Sequence, residues 1–139
     1  MTMPKIVARW SMLAVVGVLF ADAPLAGEEP INFSRDIRPL LSDRCYQCHG
    51  PDAAQRPTEL RLDQHESAIG DLASGGAAVV AGKPEQSVLM QRITSKDADL
   101  RMPPEESGKK LSAAEIELIR QWIAQGAGWG GWGPGVVGG

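Results

Sequence analysis

A chain of 139 residues has room for one domain with a modest core, and a core that small gains from any large ligand it can enclose. The formal charge of −3 gives no basic stripe, and none of the nucleic-acid motifs appears, so nucleic acid is excluded as an expected partner. The only two cysteines both fall within "DRCYQCHG", residues 43–50, where the chemistry of the chain is concentrated.

In chain order, residues 1–26 read as an export signal. Lys5 and Arg9 precede the apolar run "SMLAVVGVLFA", and small residues follow in "ADAPLAG". Cleavage after Ala23 would place Pro24 next, so a cut near Ala26 or Gly27 is expected. The segment carries Lys5, Arg9 and Asp22, a net +1, and its removal takes the chain from −3 to −4. The run is short for a membrane span of about 20 residues, so a membrane tether is expected only if the signal is retained.

A helix is expected next. Ile37, Leu40, Leu41 and Cys45 recur at helical spacing, Ser34 or Asp36 can cap it, and Pro39 falls in or near its first turn. This helix runs straight into the cysteine motif. "GPDAAQRPT", residues 50–58, reads as a loop. Leu60 and Leu62 alternate, a short helical pattern passes through Ala68, Ile69 and Leu72, and Gly75 with Gly76 ends it. A further helix is expected with Pro84 at its first position and Val88, Leu89 and Ile93 on its inner face. Residues 96–110 show no period and carry Met102 beside two prolines.

The last helix has the strongest signals. Ser112 with Glu115 forms a capping box, Leu111 can staple against Ile116, and Gly126 is placed to end the helix. Ile116, Ile119, Trp122 and Ile123 supply its buried face. Trp122 is expected to pack near Ile37 and Leu41. The domain is therefore expected over residues 31–128, with residues 129–139 as a disordered glycine- and tryptophan-rich tail.

Three chemistries suit Cys45-Tyr46-Gln47-Cys48-His49. A structural zinc site needs four ligands, and only His65 is left to add to these three. A redox dithiol belongs at the start of a helix in a βαβ setting, whereas this motif follows a helix; a structural disulfide would close a very small loop. Covalent haem uses every residue: the two thiols can form thioethers with the porphyrin vinyl groups, which forces the adjacent histidine under the iron. Met102 leads as the opposite ligand, with Met90 and His65 as competitors. Arg61 and Arg101 are candidates for pairing with haem carboxylates.

The blocks "DIRPLLSDRCYQCHGPDA", "LRLD", "VAGKPEQSVLMQRI" and "RMPPEESGKKLSAAEIELIRQWIAQGA" resemble the planctomycete-type cytochrome c domain, a class I c-type cytochrome-like module, over about residues 31–129. The resemblance implies an all-α domain around one haem c attached through Cys45 and Cys48, with His49 proximal and Met102 distal. It implies an electron carrier, not an enzyme, of relatively high potential, in the periplasm or cell envelope, serving an unidentified redox partner protein. Such modules usually open longer exported proteins, so the alternative expectation is a redox or sensor module of a larger protein. A haem-free disulfide or binding module is the reading from a different class.

Overall fold

The computed structural model of the chain describes Thr2 and residues 29–130. The expected export signal, apart from Thr2, and residues 131–139 of the expected tail lie outside the described residues.

The chain enters through a π-type helical turn, Phe33–Ile37, that continues into α1, Arg38–Arg44. Its cap is Asn32, earlier than either residue expected from sequence. The Asn32 side chain accepts from the Arg35 N–H at 2.9 Å, and the Asp36 carboxylate accepts from the Asn32 N–H at 2.8 Å. Two backbone donors are thereby satisfied reciprocally, as in a capping box. The early start brings Phe33 into the core, where it is 6% exposed. Pro39 stands in the first turn of α1, directly after the π-type turn.

At Cys45 the backbone departs from helical geometry (φ −124°, ψ −33°), and α2, Tyr46–His49, follows at once. A long loop leads to α3, His65–Ile69, which stops before Leu72. The chain then reverses through Gly75 and Gly76, at φ 90° and 72°, and closes an isolated bridge between Asp71 and Ala77. Positive φ of this kind suits glycine, which has no Cβ to clash.

Pro84 does not begin the next helix. It opens a separate 3₁₀ turn, Pro84–Gln86, and α4 spans Val88–Ile93. The residue between them explains the break. Ser87 is completely buried, and its hydroxyl accepts from the Val80 N–H at 2.9 Å and donates to the Lys83 carbonyl at 3.0 Å. Such local side-chain bonds compete with helical ones.

α5, Ala113–Ala124, carries the expected capping box in full. It ends as a Schellman motif: the Ala127 N–H donates to the Trp122 carbonyl and the Gly126 N–H to Ile123. α5 packs on the Phe33–Ile37 turn, the Pro84–Gln86 turn and α4. Trp122 is 1% exposed within the cluster that holds Ile37 and Leu41, as its spacing predicts. Ile116 is only half-buried; Ile119 and Ile123 are completely buried.

Trp129 is not a loose tail residue. Its ring lies 4.2 Å from Phe33, 5.8 Å from Trp122 and 5.4 Å from His65, centroid to centroid. Among the described residues the domain is helical and has no strand, and no helix is long and apolar enough to cross a membrane.

Candidate functional site

The motif is held by its neighbours on both sides. The Cys45 N–H donates to Leu41 at 2.8 Å, so the first cysteine is fixed by α1. The His49 N–H donates to the Cys45 carbonyl at 2.8 Å, and the His49 carbonyl accepts from Leu62 at 2.7 Å. One helical turn therefore sets the two thiols and the imidazole relative to one another, and the hydrogen bond from Leu62 braces the turn.

These residues form one wall of a cavity of about 680 Å³, within the roughly 300–1,000 Å³ range of cofactor sites. Cys45, Cys48 and His49 line it together with Met102 and the apolar side chains Leu60, Leu62, Leu89 and Ile93. All four residues predicted to hold the cofactor are thus brought to one cavity. The Met102–Pro103 peptide bond is cis. The competitors lie elsewhere: Met90 is 6% exposed in the core, and His65 is exposed at the start of α3 beside Trp129; neither lines the cavity.

The titratable groups suit this reading. Burial holds the His49 imidazole below its ordinary range, with the Leu60 carbonyl nearby opposing the shift. That carbonyl makes no hydrogen bond of normal geometry to the ring, and His49 Nδ1 is a buried polar atom without a partner. A neutral imidazole held on a cavity wall is ready to give its lone pair to a metal. Burial pushes the Cys45 thiol up to about 12, with Arg44 opposing and Cys48 reinforcing the shift. Redox dithiols show the reverse, a depressed pKa that supplies thiolate. Both cysteines are free thiols.

Neither Arg61 nor Arg101, each read from sequence as a candidate partner or as plain surface charge, lines the cavity. Arg61 is engaged by Asp63, with Nε 3.1 Å from Oδ1, and it does not line the cavity. Arg101 lines a smaller adjoining pocket instead. The cations that do line the cavity are Arg44, Arg92 and Lys109. Arg44 pairs with Asp43 at 2.9 Å and Glu115 at 3.2 Å, and Lys109 reaches Asp43 at 3.3 Å. This chain of ion pairs ties α5 and the preceding loop to the end of α1. The position of Arg44 next to Cys45 was a usable signal; nothing in the periodicity marks Arg92 or Lys109.

The cavity is thus largely apolar and is lined by the C-x-x-C-H residues and by Met102, the combination that covalent haem sites use. Residues 45–106 match the family model described as Planctomycete cytochrome C, so the chain carries a planctomycete-type cytochrome c domain. No curated protein and no solved structure matches it. The residues present fit haem: two free thiols, an unpartnered buried imidazole nitrogen and an apolar enclosure of suitable size.

Proposed function

We propose that the domain is a class I-like, mono-haem c-type cytochrome that transfers single electrons in an exported compartment. The observation that carries this reading is the convergence of Cys45, Cys48, His49 and Met102 on one cavity. Cys45 and Cys48 would hold the porphyrin as thioethers, and His49 and Met102 would ligate the iron. Haem bound there would supply one-electron exchange between ferrous and ferric iron.

The chain's own contribution is placement and exclusion of water. The turn of α2 fixes the thiols and the imidazole, while Leu60, Leu62, Leu89 and Ile93 keep the site apolar. Ligation by the His49 imidazole and the neutral Met102 thioether would favour the reduced state and so a high potential. The domain acts as a carrier for a redox partner protein, and the apolar run of residues 11–21 supports export.

Expression of the full chain with a haem-attachment system tests the proposal. The expected product is covalent haem that survives denaturation, with a haemochrome spectrum of the two-thioether type. It should also show the methionine-to-iron charge-transfer band of oxidised Met-ligated haem. Met102→Ala should keep the haem, lose the band and lower the potential. Absence of covalent haem in the wild type sinks the cytochrome reading, and a band that survives Met102→Ala sinks the ligand assignment.

A further inference from the structure

We propose that Arg92 is a positioning residue: it clamps the loop that presents Met102 and sets a positive charge beside the cavity. This rests on the reading of the cavity as a haem site with Met102 as ligand.

The loop between α4 and Met102 leaves and returns at the same point. The Arg92 carbonyl accepts from the Ser95 N–H at 3.4 Å where the loop opens and from the Met102 N–H at 3.1 Å where it closes. The Arg92 side chain adds a second tie, with Nη1 donating to the Leu100 carbonyl at 3.3 Å. Between these anchors the loop braces itself. The Arg101 N–H donates to the Asp97 carbonyl at 2.9 Å, and the Asp99 N–H donates to Asp97 Oδ1 at 3.0 Å. Among the described residues, Arg92 is thus the side chain that fastens this self-contained loop to α4.

Its charge is also placed differently from the others at the cavity. Arg44 and Lys109 are engaged by Asp43, and Arg44 by Glu115 as well. Arg92 lines the cavity and pairs with no carboxylate among the described residues. A guanidinium keeps its charge at all relevant pH and offers several donors in a fixed fork. A cation in that place stabilises the iron state that carries one more electron.

The clamp and the charge separate experimentally. In the oxidised holoprotein, added imidazole competes with Met102 for the iron, so its affinity reads how firmly the loop holds the methionine. Arg92→Gln should bind imidazole roughly tenfold more tightly than wild type, the effect of losing one charge-assisted hydrogen bond. It should also show a weaker charge-transfer band and a lower midpoint potential. Arg92→Lys retains the charge without the fork. It should hold the potential near wild type yet still bind imidazole more tightly, and it serves if the glutamine variant does not fold. Wild-type imidazole affinity in both variants overturns the clamp, and an unchanged potential in Arg92→Gln overturns the charge role. A wild type that carries haem but binds imidazole as tightly as Met102→Ala overturns the Met102 reading and this inference with it; resistance shared by wild type and the Arg92 variants overturns this inference alone.

Discussion

Gly50 follows the proposed haem ligand His49, and its missing side chain has a definite physical reason. A Cβ there would clash with the Tyr46 carbonyl oxygen and come within 2.7 Å of the Tyr46 Cβ, because the chain turns back across α2 as it leaves. Its φ of −116° is open to any residue, so the demand is for space and not for a left-handed backbone. Gly50→Ala should therefore lower the stability of the holoprotein by about 1–3 kcal/mol, the usual cost of overpacking, seen as a reduced melting temperature. Haem yield should fall too, since the strained atoms belong to the turn that sets the two thiols. At this scale the sequence was most informative where one residue type has one chemistry. The thiols, His49 and Met102 stood out because few other residue types suit haem, and all four line one cavity. Arg92 did not, because its importance comes from a carbonyl and a guanidinium that meet a loop several residues away.

Among the helices, legibility followed the strength of local signals. α5 has a cap and a terminating glycine whose bonds are local to the helix, and its bounds follow from them. α4 was placed correctly but begun too early, because the buried hydroxyl of Ser87 diverts the backbone and no periodicity reveals that diversion. The cap of α5 also makes a pH-dependent contribution. The Ser112 backbone N–H is the main cause that holds the Glu115 carboxyl below its usual range, with Arg44 helping and burial opposing. A carboxylate depressed by folding stabilises the domain above its unfolded value, near 4.5, and loses that contribution as pH falls through the folded value. Glu115→Gln should lower the melting temperature at neutral pH and flatten its decline into acid. Melting curves of the two holoproteins across that range measure the difference. A parallel decline would assign the acid sensitivity to other carboxylates.

For the molecule as a whole, the cavity and the core draw on different parts of the chain. The residues lining the cavity run from Arg44 to Lys109, nearly coincident with the matched family segment, residues 45–106. Much of the core lies outside that segment: Phe33, Ile37 and Leu41 before it, and Ile119, Trp122 and Ile123 after it. Each such side chain contributes roughly 1.5–3 kcal/mol, so losing all six removes on the order of the whole stability of a marginally stable domain, about 5–15 kcal/mol. A fragment of residues 45–106 should therefore show no cooperative unfolding transition and retain little haem, while residues 29–130 should show both. Calorimetry and absorbance compare the two directly. The all-helical class was legible from the family resemblance and from the helical spacings that became α1, α4 and α5, although Leu60 and Leu62 alternate. The ordered place of Trp129 was not, since it depends on Phe33 and Trp122 being already side by side.

The late position of α5 has a consequence for biogenesis. Synthesis runs from the N-terminus, so Phe33, Ile37 and Leu41 lack their cover until Ile119, Trp122 and Ile123 have been made. During that interval Cys45 and Cys48 lie on an open chain, accessible to an attachment enzyme; afterwards both are half-buried in the cavity wall. The covalent attachment proposed above would thus be easiest before the domain closes.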